Sequence, residues 1–295
     1  MPAPRENEQM SMTASIESQE QHWAGEGGDR WLAYHQFFEQ MIDPIGQSLI
    51  EKAQLRENEN CIDIGCGAGV TTIQLAQAVG KNGSVIGVDI SQALIQACRA
   101  RAHEKKLENI NFISGDAAQI MLQNKIADCL FSRFGAMFFK SPVAAFHHLH
   151  QTLKPGGRLA LSCWAAINAN LWMSEIRDVL AGHLELPMPQ ARAPGPFAFA
   201  EPSYIEEILD ASGFEDILIT PWTGTLIIGG RDGTPEDTAN FLLNAFSIAN
   251  PLKDEPLTKK ERIHAALSDR LSNYHTDGGI LMPAKAWVVT ALSKD

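Results

Sequence analysis

Hydrophobic residues first recur with a helical period and later cluster in short, evenly spaced runs. Between Trp23 and Lys52, aromatic and aliphatic side chains follow the spacing that is typical of an amphipathic helix. Pro44 lies inside this segment, and because proline disrupts a helix interior, the pattern predicts two helices. Residues 1–20 are polar and rich in Glu, Gln and Ser, so we expect them to form a flexible tail.

A regular alternation of strands and helices is predicted after this region. Short apolar runs typical of buried strands occur at 60–65, 84–89, 110–114, 127–131 and 158–164. Helical patterns lie between them at 70–79, at 91–106 and from Ser141-Pro142 onward, and the Lys-Pro-Gly-Gly sequence at 154–157 predicts a turn. Strands separated by helices of this length indicate βαβ units and therefore a parallel sheet.

The alternation stops after Trp164. The remaining pattern predicts helical pieces and a proline-rich loop at 166–215, a strand at 214–228, helices at 235–273 and a closing strand at 286–292. The simplest fold is one doubly wound α/β domain with helical additions. We expect four segments: a tail at 1–20, N-terminal helices forming a lid at 21–57, a Rossmann-like core at 58–165, and substrate-side helical insertions with the last two strands at 166–295.

The net charge and the cysteine content restrict which partners and which cellular location we expect for the protein. The 295 residues include 24 Lys and Arg against 35 Asp and Glu, a formal net charge of −11. This charge disfavours a nucleic-acid partner, because affinity for the phosphate backbone comes mainly from Lys and Arg. The sequence shows neither a secretory signal nor an apolar run long enough to span a membrane, so we expect no membrane association. The five cysteines form no Cys-x-x-Cys pair and are expected to be reduced core residues of a cytoplasmic protein.

A glycine-rich loop between the first strand and the next helix is the central chemical signal. Residues 63–69 read Asp-Ile-Gly-Cys-Gly-Ala-Gly. Glycines at this corner let the backbone approach a ligand, and the free N–H groups of the helix start favour anionic ligand groups. The dinucleotide fingerprint requires a glycine where Val70 stands, which argues against an NAD-dependent dehydrogenase.

Polar residues at the ends of the following strands point to one binding site. Asp89 ends the second predicted strand, where a carboxylate can accept both hydroxyls of a ribose. Asp116 and Ala117 follow the third strand, where an Asp can accept from an exocyclic amine such as that of adenine. Ser132 and Arg133 follow the fourth. Because open α/β sheets bind ligands at the carboxyl ends of their strands, these positions predict a nucleoside site.

These segments, in this order, resemble the motifs of the class I S-adenosylmethionine-dependent methyltransferases. The resemblance is carried by 63–69, Asp89, Gly115–Ala117, 127–131 and the turn at 153–159. Outside this core, 132–139, 194–199, the Trp23 to Trp31 segment and 286–291 are similar to a bacterial subgroup of small-molecule methyltransferases. The resemblance implies a seven-stranded, mostly parallel sheet whose antiparallel last strand, at 286–292, pairs with 214–228.

The resemblance also implies the positions that bind S-adenosylmethionine. They are Asp63, Gly65, Cys66, Gly67, Gly69, Asp89, Ile90, Asp116, Ala117, Ser132 and Arg133. In such an enzyme the glycine loop holds the methionine part, Asp89 the ribose, and Asp116 with Ala117 the adenine. Asp63 orients the glycine loop, and the backbone near Ser132 and Arg133 faces the amino-acid end and the incoming substrate. The Arg133 side chain binds an acidic group there or pairs with an acid of the lid.

No residue is predicted to be catalytic, and no metal site is predicted. His147, His148 and His150 are spaced too closely along one helix to form a good metal face. Candidate bases in the flanking regions are Tyr34, His35, Tyr204, Tyr274 and His275. A dedicated base is needed only if the acceptor must lose a proton early.

The predicted acceptor is a small, partly hydrophobic molecule, methylated by in-line displacement with release of S-adenosylhomocysteine. The aromatic residues between Trp23 and Phe38 either pack a helix or form an apolar lid. The pocket would be completed by Phe134, Phe138, Phe139, Trp164, Phe197 and Phe199. The acceptor atom remains open among oxygen, nitrogen and carbon. The alternatives are a protein or RNA methyltransferase of the same fold, and a nucleoside-binding protein that has lost catalysis.

Overall fold

The computed structural model describes residues 19–186 and 190–294. The tail predicted for 1–20 lies outside these ranges except for its last two positions. The described residues form a central sheet with helices on its faces. No described helix combines the length and the apolar content needed to cross a membrane.

The sheet is mixed, and its strand order is β3-β2-β1-β4-β5-β8-β6. The strands are β1 Asn60–Ile64, β2 Ser84–Asp89, β3 Ile110–Ser114, β4 Ala127–Arg133, β5 Leu153–Trp164, β6 Phe214–Ile228, β7 His275–Thr276 and β8 Gly279–Ser293. β1 to β5 pair in parallel, whereas β8 runs antiparallel to both β5 and β6. The predicted Rossmann-like sheet with an antiparallel last strand is therefore confirmed. The short β7, which pairs with β8, was not predicted.

Helices connect the strands and cover the sheet. They are α1 Glu26–Ala33, α2 His35–Ala53, α3 Val70–Val79, α4 Gln92–Glu104, α5 Pro142–His150, α6 Leu171–Ala181, α7 Pro202–Ala211, α8 Pro235–Ala245 and α9 Leu257–Ser272. Short 3-10 turns occupy Ala136–Phe138, Ile167–Ala169 and Ser247–Leu252. The predicted cap of α4 is present, since Ser91 Oγ accepts from the Leu94 N–H at 3.4 Å.

Pro44 does not divide the N-terminal helical region as predicted. α2 continues through Pro44, and the break falls at Tyr34 instead. A proline in a helix interior costs about 3 kcal/mol, because it removes a hydrogen bond and crowds the preceding turn. Burial of one α2 face offsets this cost: Met41, Ile45 and Leu49 are almost fully buried against the rest of the core.

The predicted turn at 154–157 lies inside β5 rather than before it. Ala127 pairs with Leu153, and Cys129 pairs with Arg158, so the intervening residues of β5 loop out of the ladder. Gly156 takes φ +71° at the tip of this loop, a conformation that glycine adopts without strain. The strand therefore begins before the turn, which the hydrophobic pattern could not show. All five cysteines are unpaired and buried.

Candidate active site

A cavity of about 650 Å³ opens at the carboxyl edge of the parallel strands. Ile64, Asp89, Gly115, Arg133 and Trp164, at or just beyond the ends of β1 to β5, all line it. Several residues of the 19–31 and 245–250 segments also line the cavity, so the N-terminal helical region and the segment at the end of α8 cover part of it. Its volume lies within the range of roughly 300–1000 Å³ that is common for small-molecule sites.

The glycine loop is shaped by three residues with positive φ. The values are +65° at Gly65, +55° at Gly67 and +82° at Gly69. A Cβ at Gly65 would lie 2.8 Å from the Gly135 Cα, and one at Gly67 would lie 3.3 Å from Trp31 Nε1. Side chains at these positions are therefore excluded by both backbone conformation and space. Gly65 and Gly67 line the cavity with their backbone, while Gly69 begins α3.

Asp89 fixes the glycine loop and faces the cavity. Its Oδ2 accepts from the Gly67 N–H at 2.8 Å, and its Oδ1 accepts from the Ser91 N–H at 2.9 Å. Each carboxylate oxygen keeps a further acceptor position, since ionised carboxylates offer about four lone-pair sites. Burial raises the pKa of Asp89 to about 6. The carboxylate can therefore hold the loop and still accept from a ligand hydroxyl.

Asp63 acts behind the cavity wall rather than on it. Its Oδ2 accepts from the Thr71 hydroxyl at 2.8 Å and the Thr72 hydroxyl at 2.7 Å, which ties β1 to the first turn of α3. Its Oδ1 is buried without a hydrogen-bond partner among the described residues. Burial raises the pKa of this carboxyl to about 6. Asp63 thus positions the helix that follows the glycine loop.

Residues after β3 form a polar corner of the cavity. Asp116 Oδ1 accepts from the Ala118 N–H at 2.9 Å, and its Oδ2 accepts from Gln119 Nε2 at 2.8 Å. Ala117 is buried between them and lines the cavity. Ile90, which follows Asp89, also lines it. The local bonds of Asp116 hold its carboxylate at the cavity wall.

Ser132 and Arg133 have different roles at the end of β4. The Ser132 hydroxyl donates to the Ile64 carbonyl at 2.9 Å and accepts from the Ala136 N–H at 3.1 Å, so it joins β4 to β1. Arg133 lines the cavity, but its guanidinium donates to Glu39 of α2 at 2.6 Å. Of the two alternatives for Arg133, the structure shows the ion pair with an acid of the N-terminal helices.

The predicted cofactor residues therefore divide into two groups. Seven line the cavity: Gly65, Gly67, Asp89, Ile90, Asp116, Ala117 and Arg133. Four lie behind its wall: Asp63, Cys66, Gly69 and Ser132. The Cys66 N–H donates to the Val88 carbonyl at 3.0 Å, so its backbone faces β2. The second group supports the loop through contacts that a linear motif does not reveal.

The lid contains contacts that sequence reasoning missed. Trp31 stacks on Phe38 at 4.3 Å between ring centroids, and Trp23 packs edge-on against Phe138 at 4.9 Å. Arg30 of α1 donates to Glu26 at 2.6 Å and to Asn250 Oδ1 at 2.7 Å.

Lys253 also pairs with Glu26, and these pairs draw the pKa of the Glu26 carboxyl down to about 2. The polar contacts between α1 and the 247–253 segment form what we call the latch. Its partners are more than 200 positions apart, and no sequence signal connects them.

Part of the cavity lining is aromatic. Phe134 stacks on Trp164 at 4.3 Å, Trp172 lies 5.1 Å from Trp164, and Phe246 lies 5.3 Å from Trp172. We call these four rings the ring wall, and all of them line the cavity. Phe138 and Phe139 line it as well, but Phe197 and Phe199, predicted to do so, lie behind it. Pro196 takes their place at the surface of the cavity.

Two of the flanking candidates, His35 and Tyr274, and two histidines of α5 make contacts outside the cavity. Tyr274 donates to Glu175 at 2.6 Å, and His35 Nδ1 lies 2.8 Å from the Leu32 carbonyl oxygen. His148 Nε2 lies 2.8 Å from the Ile120 carbonyl oxygen, and His150 Nε2 lies 2.9 Å from Ser293 Oγ. None of these four side chains lines the cavity. Among the described residues, no cluster of three or more potential metal ligands is found.

Comparisons with known proteins agree with this geometry. Residues 55–188 match the family described as "Methyltransferase domain". Aklanonic acid methyltransferase from Streptomyces sp. is 29% identical over 42% of this chain and 56% of that protein. The ubiquinone/menaquinone biosynthesis C-methyltransferase of Pectobacterium atrosepticum is 30% identical over 37% of this chain and 44% of that protein. The chain thus spans about half the length of the curated relatives it matches.

The crystal structure of the YcgJ protein from Bacillus subtilis shares the fold. It superposes with a TM-score of 0.58 at 17% identity, covering 85% of this chain and 98% of that one. Residues 55–188 therefore match a methyltransferase domain, and the fold and the glycine loop agree with those of the class I S-adenosylmethionine-dependent methyltransferases.

The residues present fit S-adenosylmethionine, the cofactor of this class. At the two cavity-lining glycines a Cβ would meet Gly135 or Trp31, so bare backbone lines the cavity there, and the Asp89 carboxylate lines it with acceptor capacity to spare. Trp31 Nε1 is buried over Gly67 without a hydrogen-bond partner among the described residues. An N–H donor at this point suits the carboxylate end of an amino-acid moiety.

Proposed function

We propose that the protein transfers a methyl group from S-adenosylmethionine to a small, partly hydrophobic acceptor and releases S-adenosylhomocysteine. One observation carries the proposal: the glycine loop with Asp89 and the ring wall line the same cavity. The cavity therefore combines polar groups suited to a nucleoside with an apolar surface suited to the acceptor. In-line displacement requires such an arrangement, because both reactants must be held in contact and in one orientation.

The chain supports methyl transfer mainly by positioning the cofactor and the acceptor. When bound, S-adenosylmethionine provides a methyl group on a positively charged sulfur, which is a good leaving group. The chain orients the nucleoside through Asp89 and the loop backbone, while the lid and the ring wall exclude water. The cavity-lining Asp89 and Asp116 both hold backbone N–H groups, which leaves them poorly placed as general bases. His22 also lines the cavity, and burial lowers the pKa of its imidazole, so His22 is the remaining candidate base; we otherwise assign the rate enhancement to proximity and orientation.

The names of the relatives support a small-molecule acceptor. One is named for aklanonic acid and another for ubiquinone and menaquinone biosynthesis. The net charge of −11 argues against RNA. The division at 57/58 and 165/166 into lid, core and substrate-side additions belongs to this proposal, as does a cytoplasmic location, which the five unpaired cysteines support.

Calorimetric titration with S-adenosylhomocysteine, with NAD in parallel, tests the proposal. We expect one-site binding of S-adenosylhomocysteine and no binding of NAD. Transfer of label from S-adenosylmethionine to members of a small-molecule library would then identify the acceptor. Binding of NAD alone, or of neither nucleoside, would refute the proposed function. Tight cofactor binding without transfer to any library member would favour a nucleoside-binding protein that has lost catalysis.

A further inference from the structure

His22 is the one histidine among the described residues that lines the cavity. It lies in the helical turn before α1 and is only half-buried, so a ligand can reach its ring. The cavity-lining carboxylates are poorer bases: Asp89 and Asp116 accept backbone N–H groups, and Glu20 is exposed to solvent, where a carboxylate is a weak base. The arginines and the lysine of the lining are already protonated at neutral pH.

The absence of a side chain at Gly27 keeps one ring nitrogen of His22 uncovered. A Cβ at position 27 would lie 2.4 Å from His22 Nε2 and 2.5 Å from His22 Cδ2, and Gly27 itself lines the cavity. Trp23 contacts the imidazole edge-on, with 5.5 Å between ring centroids. Neither ring nitrogen has a hydrogen-bond partner among the described residues. The lid therefore holds the ring through packing and leaves both nitrogens available to a ligand.

The surroundings of His22 favour its neutral form. Burial is the largest cause that lowers the pKa of His22 below its ordinary value of 6.5, and the Arg30 guanidinium is the next. Lys253 acts in the same direction, whereas Glu26 opposes it. Glu20, two positions earlier on the same turn, is the remaining charge of this segment. A neutral imidazole has a lone pair that can take a proton at pH 7.

The latch fastens the part of the lid that carries His22. Arg30 donates to Asn250 at 2.7 Å, and Glu26 pairs with both Arg30 and Lys253. Arg30 and Asn250 line the same cavity as His22. The imidazole is thus presented to the cavity by the element that covers it, so His22 can act on a ligand only while the lid is in place.

We propose that His22 is the general base of the methyl transfer, and that the acceptor is a weak acid whose O–H or N–H group loses its proton to this imidazole. The proposal rests on the proposed function and specifies a catalytic residue and the reacting group of the acceptor. The proton passes to a ring nitrogen of His22, and the electron pair of the acceptor oxygen or nitrogen forms the bond to the methyl carbon. The methyl–sulfur bond breaks with its electron pair left on sulfur, and the imidazolium later releases its proton to water.

The pKa of His22 in two complexes tests its position. Protein with isotope-labelled histidine rings is titrated by NMR, once saturated with S-adenosylmethionine and once with S-adenosylhomocysteine, which lacks the positive sulfur. If His22 lies beside the reacting atoms, its pKa should be lower by about 1 in the S-adenosylmethionine complex, because a nearby positive charge opposes the imidazolium. His148 and His150, which lie outside the cavity, should titrate alike in both complexes. If none of the nine histidines differs between the complexes, the proposal is overturned.

Transfer of label from S-adenosylmethionine to the pooled small-molecule library tests the chemical role. We expect His22→Gln to be about 100-fold slower than the unaltered protein at pH 7. The deficit should shrink as the pH rises and the acceptor ionises without help, and added imidazole should restore part of the rate to His22→Ala. His103→Gln, which replaces an exposed histidine of α4, is the control and should keep the full rate. A rate in His22→Gln within twofold of this control, or a deficit that neither pH nor imidazole changes, would overturn the proposal.

The two proposals fail separately. If S-adenosylhomocysteine does not bind the unaltered protein, or if no library member is methylated, the result counts against the proposed function. If the cofactor binds and label is transferred, but His22→Gln is as fast as His103→Gln, only the role of His22 is refuted. The NMR comparison is made on the unaltered protein, so a folding defect in a variant would not protect the proposal.

Discussion

The two sides of the cavity are built in different ways. On the nucleoside side, the Gly67 N–H donates to the Asp89 carboxylate at the end of the neighbouring strand, and Gly65 and Gly67 adopt positive φ. On the acceptor side, the ring wall draws Phe134, Trp164, Trp172 and Phe246 from four separate elements. The first surface depends on backbone conformation, which tolerates little change. The second depends on side-chain packing, which can be altered without disturbing the first.

The largest expected effect is at Gly65. Gly65→Ala places a Cβ 2.8 Å from the Gly135 Cα at φ +65°, so we expect binding of S-adenosylhomocysteine to be abolished. Gly80→Ala is the control, because Gly80 has a similar φ of +70° and no neighbour within 4 Å of its Cβ. Gly80 has a ψ of 178°, a backbone region that is almost restricted to glycine, so this control should cost about 1–3 kcal/mol of stability through strain alone and leave cofactor affinity intact. Calorimetry and denaturant unfolding of both variants measure the difference.

Replacement of Asp89 should have the next largest effect. Asp89→Ala removes the acceptor for the Gly67 N–H together with the predicted ribose contact, so we expect affinity for S-adenosylhomocysteine to fall about 100-fold. Cys66→Ala should lose much less, because Cys66 supports the loop from behind the wall. Calorimetric titration compares the two. Equal losses would show that the nucleoside side does not depend on Asp89.

The pKa of Asp89 predicts a smaller, pH-dependent effect. This carboxyl has a pKa of about 6 in the folded protein, so acidification from pH 7.5 to 5 protonates it. If only the ionised form accepts both ribose hydroxyls, affinity for S-adenosylhomocysteine should fall about tenfold over this range. Asp89→Asn should bind weakly at both pH values and show a flat profile. A steep profile in that variant would assign the titration to another group.

The smallest expected effect concerns stability and Asp63. Its pKa is about 6 in the folded protein against an ordinary value of 3.8, so the folded state binds the proton more tightly than the unfolded state. This group therefore adds stability as the pH falls through 6, and its contribution is absent at pH 7.5. Between pH 7.5 and 5, the unaltered protein should gain about 1 kcal/mol of unfolding free energy relative to Asp63→Asn. Urea denaturation at both pH values measures this difference. If the unaltered protein and Asp63→Asn show the same pH dependence of stability, the gain does not come from Asp63.

The contrast between the two sides also explains what the sequence could predict. The strand at 110–114 and the helix at 70–79 were predicted with the bounds that the structure has, because their hydrophobic runs and punctuating residues are local. Asp89 and the glycine loop were found for the same reason. The helix break predicted at Pro44 was wrong, because burial of α2 against the core outweighs the free-energy cost of a proline inside a helix. Propensity at one residue says little where a whole helix face is buried.

The features that the sequence did not predict depend on contacts between residues far apart in the chain. Phe197 was expected in the pocket, but Pro196 and Trp172 occupy the cavity surface in front of it. The sequence left two equally good predictions for the Arg133 side chain, and the position of Glu39 on α2 decides between them. The latch between Arg30 and Asn250 joins elements that no local pattern connects. Where a function depends on which elements meet, the linear pattern identifies the candidates but not their partners.

The position of β8 has a consequence for how the chain is made. A ribosome delivers β5 and β6 before β8, yet β8 is the strand that lies between them in the sheet. Until β8 emerges, the 15-residue β6 has no strand to pair with, and one edge of β5 is unpaired. Unpaired edges favour wrong association with other chains. During synthesis, this half of the sheet is therefore the part of the nascent protein most in need of protection by chaperones.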